Sequence, residues 1–138
     1  MNMSDQGLKL LMLREGSRHN AYQDTKGIWT IGVGHTGPEV VAGLVWTDQQ
    51  IMDQLRKDVD ITKQCLNDCI QVGLAQNQID ALCSFIFNVG VNAFRRSTMR
   101  RLLNQGLFKE AANEFDKWHI PPEITSRRNS EKSQFQGT

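Results

Sequence analysis

The chain has 138 residues, 39% hydrophobic and 22% charged. That is enough to bury a core without disulfide or metal staples, and it limits the chain to one domain or two closely packed lobes. The formal net charge of +1 excludes the broad positive field of a nucleic-acid binder.

In chain order, Ser4 is a helix cap, and apolar periodicity follows through Leu8, Leu11 and Met12. Lys9 and Arg14 interrupt and close this run, so it is too short to span a membrane and does not read as an export signal. Continuing the face reaches Glu15, and Gly16 is the stop. A short β-prone region follows: Ala21 to Asp24, the turn Thr25-Lys26-Gly27, then Ile28-Trp29-Thr30-Ile31. Trp29, Ile31 and Val33 alternate with Thr30 and Gly32, as in a strand with one packed face. Thr47 caps a single long helix expected over 48–70. The most apolar segment, 76–89, is the central core helix. Shorter helices are expected over 92–95, 98–104 behind Ser97, and 108–118. Pro121-Pro122 breaks the chain, and residues 132–138 read as a polar, frayed tail. The fold class is α+β and mostly helical. Its parts are a β-containing lobe over about 16–46, a connecting helix over 47–70 and a helical lobe over 71–131. The three cysteines, Cys65, Cys69 and Cys83, have neither a disulfide framework nor the further ligands of a zinc site, and read as buried thiols.

Glu15, Asp24 and Thr30 carry the chemistry. Glu15 occupies an apolar helix face and a last helical turn, and both favour the protonated carboxyl a general acid needs. An ion pair with Arg14 or Arg18 is the plain alternative for it. Asp24 closes a strand at a glycine turn, where aspartate is also a common turn former. Thr30 alone is an ordinary strand residue. Together they set a helix-end acid against a strand-end acid, an arrangement suited to hydrolysis.

The spacing Glu15-x8-Asp24-x5-Thr30 resembles the phage-type lysozymes, the small muramidase endolysins of tailed bacteriophages. The likeness continues in Thr30-Ile31-Gly32-Val33-Gly34-His35-Thr36, in the helix 78–90, in Phe94 with Ser97-Thr98, in Glu114-Phe115 with Trp118, and in Arg127-Arg128 with Glu131. It implies a two-lobed lysozyme-like fold around a substrate cleft. It also implies roles: Glu15 protonates the glycosidic oxygen, Asp24 activates a water and Thr30 positions it. The bond would be the β-1,4 link between N-acetylmuramic acid and N-acetylglucosamine in peptidoglycan. Inversion would need carboxyls about 6.5–9.5 Å apart. Gly34, Thr36, Phe87, Ser97 and Glu114 would line the substrate path. The plainer readings are core for Phe87, helix cap for Ser97 and solvated helix face for Glu114. His35 is expected to pair with an acid on the 47–70 helix, Asp58 first and Asp60 second, in a structural role.

The resemblance further implies a monomer with no metal or organic cofactor, whose partner is the glycan strand rather than nucleic acid, and which does not insert stably into a membrane. It would wait in the host cytoplasm until a holin releases it to the periplasm and cell wall. A lytic transglycosylase is the alternative enzyme, although it needs neither Asp24 nor Thr30. A non-catalytic peptidoglycan-binding module is the alternative from another class. Two departures from the family pattern are Val33 in place of an aromatic and the short segment 119–122 after Trp118.

Overall fold

The computed structural model describes residues 1–138. It divides into two compact units, residues 8–60 on one hand and residues 1–7 with 61–138 on the other.

The unit of residues 8–60 is built on α1 (Asp5–Glu15), β1 (Arg18–Gln23), β2 (Trp29–Gly32), β3 (His35–Thr36) and α2 (Asp48–Asp58). Leu8 and Leu11 of α1 are buried, and the Gly16 N–H closes the helix on the Met12 carbonyl at 2.8 Å. The strands form an antiparallel sheet in the order β1-β2-β3. Tyr22 pairs with Thr30, and Gln23 with Trp29. On its other edge β1 is held by the returning chain. The Ala21 N–H donates to Leu44 O at 2.9 Å, and the Trp46 N–H donates to His19 O at 2.8 Å.

The expected alternation along β2 does not occur. Thr30 and Gly32 are buried along with Ile31 and Val33, while Trp29 is only half-buried. The reason is that β2 is the central strand, and Trp46 and Ile51 lie against its Gly32 position. A Cβ there would sit 3.3 Å from the Trp46 ring, and the backbone adopts φ +66°, so glycine suits the site twice over.

α2 starts at a complete capping box. Thr47 Oγ1 accepts from the Gln50 N–H at 3.2 Å, and Gln50 Oε1 accepts from the Thr47 N–H at 2.8 Å. The helix buries Ile51 and Leu55. The single helix expected over 48–70 is in fact two, α2 and α3 (Asp60–Cys69), with Val59 between them at φ −81°, ψ −6°. The ψ near zero breaks the regular ladder between two acids, Asp58 and Asp60, and the boundary of the two units falls directly after Asp60.

In the second unit, α4 (Gln76–Val89) is buried without interruption from Ile79 to Ile86. It packs chiefly on α8 (Thr125–Gln136), and α5 (Val91–Arg95), α6 (Thr98–Asn104) and α7 (Phe108–Glu114) complete the helical set. α7 ends earlier than expected, passing into a 3-10 turn over Phe115–Lys117. Phe85 meets the edges of Phe115 and Trp118 at ring separations of 5.3 and 5.4 Å. The start of α1 also belongs to this unit. Ser4 donates its N–H and hydroxyl to Asp80 at 2.9 and 2.5 Å, and its Oγ accepts from the Gly7 N–H at 3.0 Å. A Cβ on Gly7 would fall 2.3 Å from the Asp80 carboxyl carbon, so any larger residue there must push the Asp80 carboxylate off its bonds to Ser4.

Residues 132–138 are not a frayed tail. α8 runs to Gln136 and ends on Gly137 at φ 78°. Phe135 is 3% exposed and lies 5.8 Å from the Phe115 ring. Asn77 Nδ2 donates to the carbonyls of Gln134 and Phe135, each at 3.0 Å. One apolar side chain in a polar segment is enough to dock the helix end. Further up α8, the fully buried Glu131 accepts from Arg127 Nε at 3.1 Å, Arg128 Nη1 at 2.5 Å and the Ser84 hydroxyl at 2.5 Å.

All three cysteines are free and buried. Burial pushes the Cys83 thiol up to about 11, and burial is also the main cause raising Cys65. Neither is a thiolate near neutral pH.

Two substitutions test this packing by urea denaturation. Phe135→Ala is expected to cost about 3–5 kcal/mol, the usual range for a buried phenylalanine. A frayed end would leave stability unchanged. Glu131→Gln strands two buried guanidinium groups and is expected to cost about 3–5 kcal/mol.

Candidate active site

Glu15, Asp24 and Thr30 all fall in the unit of residues 8–60. Asp24 follows β1 and ties the turn to β2 with both its backbone and its side chain. Its N–H donates to Ile28 O at 2.9 Å, and its own carbonyl accepts from the Gly27 N–H at 2.9 Å. Its Oδ1 accepts from the N–H groups of Lys26 and Ile28 at 2.8 and 2.9 Å. Both bonds fall on one oxygen, and Oδ2 is left for a ligand. The turn-former and site readings of Asp24 are therefore compatible, since one carboxylate oxygen serves each.

Thr30 is 4% exposed, and its hydroxyl donates to Ile28 O at 2.9 Å. The Asp24 N–H and the Thr30 hydroxyl thus converge on the same carbonyl oxygen. With its proton committed there, Thr30 Oγ1 offers only lone pairs to a further partner. The sheet therefore gathers an acceptor-only hydroxyl and a half-buried carboxylate about one turn of chain.

Glu15 is the last residue of α1, as expected, but it is exposed rather than buried on the apolar face. The face of Leu8 and Leu11 stops one turn earlier, and Gly16 ends the helix at φ +76°. The expected loss of water around the Glu15 carboxyl therefore does not come from the fold itself.

His35 stacks on Trp46 at 5.5 Å and has carboxylates at both ring nitrogens. Asp58 Oδ2 is 3.7 Å from Nδ1, and Glu39 Oε1 is 2.7 Å from Nε2. Sequence reading missed Glu39. Its only signal was a position four residues beyond His35 and past Pro38, where chain reversal brings it back. The hydrogen bond from His35 is the main cause holding the exposed Glu39 carboxyl below the usual glutamate range. Gly34 and Thr36 are exposed on the same unit.

The other three expected substrate residues belong to the second unit. Phe87 is half-buried and stands outside that unit's apolar cluster, so it is not a core residue. The Ser97 hydroxyl caps α6, accepting from the Arg100 N–H at 3.0 Å and donating to Phe94 O at 2.7 Å. Glu114 is not a solvated helix face. It is 7% exposed and pairs with Lys117 at 2.6 Å.

The model of the phage lysozyme family matches residues 13–131, which include the whole constellation. The chain belongs to the phage lysozyme family. It is a lysozyme-type enzyme and an endolysin by kinship. It is 41% identical to the endolysin of Acyrthosiphon pisum secondary endosymbiont phage 1, over 99% of both chains. The crystal structure of a mutant lysozyme from phage P22 superposes with a TM-score of 0.94, at 38% identity and 99% coverage of both chains. A SAR-endolysin of bacteriophage PS119 is 36% identical over 75% of this chain and 62% of its own.

The lowered Glu39 pKa sets a pH dependence. A carboxyl whose folded pKa lies below its unfolded value stabilises the fold above the usual glutamate range, and that stabilisation is lost as pH falls through the lowered folded value. Glu39→Gln is therefore expected to melt below the parent at about pH 6, with the gap closing by about pH 3 in thermal scans. A gap that does not change with pH would overturn this pairing.

Proposed function

We propose that the enzyme hydrolyses the β-1,4 bond between N-acetylmuramic acid and N-acetylglucosamine in peptidoglycan, with inversion at the anomeric carbon. The observation that supports this most is the convergence of Asp24 and Thr30 on the Ile28 carbonyl. A water lying between Asp24 Oδ2 and Thr30 Oγ1 donates one hydrogen to each. Its remaining lone pairs are then directed outward, toward an electrophilic carbon. Asp24 takes the proton as the water attacks. Glu15 protonates the leaving oxygen. Its carboxyl is exposed at the end of α1, open to a glycan seated over it.

Gly34 and Thr36 present an open edge of the sheet to sugar. Phe87 offers a half-buried ring of the kind that stacks on a pyranose face. Ser97 and Glu114 remain proposed substrate contacts, with some of their bonding capacity spent on Phe94, Arg100 and Lys117. His35, held among Trp46, Glu39 and Asp58, fixes the loop that carries Gly34 and Thr36.

Proposed also, on the resemblance to phage endolysins, are action as a monomer and release from the host cytoplasm through a holin pore. No helix is long and apolar enough to cross a membrane. Coexpression with and without a holin, with lysis timing as the readout, distinguishes this route from an independent one.

The catalytic reading is tested on purified peptidoglycan. Mass spectrometry is expected to find hydrated muropeptides with reducing N-acetylmuramic acid ends. Early NMR spectra are expected to show the α-anomer, the inverted product. Anhydro ends would replace hydrolysis by transglycosylation, and a β-anomer would replace inversion by retention. Glu15→Gln and Asp24→Asn are each expected to lower the rate by about 10²–10⁴-fold without changing the melting temperature for Glu15→Gln. Thr30→Ala is expected to lose less, since it positions water without moving a proton.

A further inference from the structure

A cavity of about 420 Å³ in the second unit is lined by Arg95, Arg96, Arg100 and Arg101, together with Gln71 and Asn104. Four of the chain's 16 lysines and arginines thus fall within seven residues of sequence, although the net charge of the whole is only +1. No carboxylate lines the cavity. The Arg95 side chain is hydrogen-bonded to Cys65, and the charge of Asp68 also reaches it, but Asp68 accepts from Gln64 at 2.9 Å and forms no ion pair with any of the four.

The guanidinium groups are partly preset. Arg100 is half-buried, with Nε on Cys69 O at 3.4 Å and Nη1 on Arg95 O at 3.3 Å, and its Nη2 is unspent. Arg101 Nη2 donates to Thr98 Oγ1 at 3.3 Å. Arg96 is exposed, and its guanidinium has no partner. Asn104 is fixed by two bonds, accepting from the Gln71 N–H and donating to Cys69 O, each at 2.8 Å. A run of charges along a helix is usually a solvated face. Here the charges wall a concavity that no carboxylate lines.

We propose that this cavity is a binding site for phosphate-ester groups. Four like charges about one concavity attract a divalent anion more strongly than a monovalent carboxylate. The planar guanidinium fork also matches phosphate oxygens two at a time. This inference does not draw on the hydrolytic reading, and its readout is binding rather than lysis.

The test follows the Nε–H NMR signals of the four arginines while inorganic phosphate, then glucosamine 6-phosphate, is added to the full chain. Acetate at matched ionic strength is the control. The expected result is a saturable shift with both phosphates, at least tenfold weaker for acetate. It should also be at least tenfold weaker in the double variant R96Q/R101Q, whose exposed positions leave the fold intact by circular dichroism. Sedimentation with vesicles of phosphatidylglycerol in phosphatidylcholine separates the sources. Co-sedimentation lost in R96Q/R101Q assigns a lipid headgroup, and its absence beside saturable binding in solution assigns a soluble phosphate ester. Equal shifts with acetate, shifts that never saturate, or an unaffected variant would each overturn the proposal.

Discussion

Both sides of the hairpin at the candidate active site hang on the Ile28 carbonyl and the Asp24 carboxylate. The Ile28 oxygen accepts from the Asp24 backbone and the Thr30 hydroxyl. The Asp24 Oδ1 accepts from Lys26 and Ile28. A turn with loose ends would let the two side chains drift separately. Here the bonds that shape the turn also fix the carboxylate and the hydroxyl of the candidate site.

The surroundings of the hairpin serve the same end. β1 is pinned on both edges, by β2 and by the returning chain at Leu44 and Trp46. Trp46 fills the space against Gly32 and stacks on His35. Carboxylates lie at both nitrogens of His35, Glu39 within hydrogen-bond range and Asp58 a little farther. The histidine of the Thr30–Thr36 stretch is thus structural in its contacts.

The helical unit is organised by a different interaction. Glu131 is fully buried between two arginines of its own helix and Ser84 of α4. Arg127 adds a bond to Ser84 O, and Arg128 adds one to Trp118 O, each at 2.9 Å. The Arg128 guanidinium also lies over the Phe85 ring at 5.0 Å. Removing one partner of such a buried set leaves the others' charges uncompensated, which is why it ties α8 to α4. These bonds fix how α8 lies along α4, and so where Phe135 enters the core.

The sequence by itself determined the β-region after Gly16, the helix caps at Ser4, Thr47 and Ser97 and the core helix 76–89, because each is written in local periodicity or capping chemistry. Only the tertiary structure decided the rest. The break at Val59 has no proline or glycine to announce it. The burial of Thr30 depends on β2 being central, which needs both neighbouring strands. The docking of α8 depends on one phenylalanine meeting Phe115 across many residues. The exposure of Glu15 depends on where the core stops, and the pairing of Glu39 with His35 depends on a chain reversal. Each of these is a contact between segments far apart or folded back, and local pattern carries no information about what will lie on the other side.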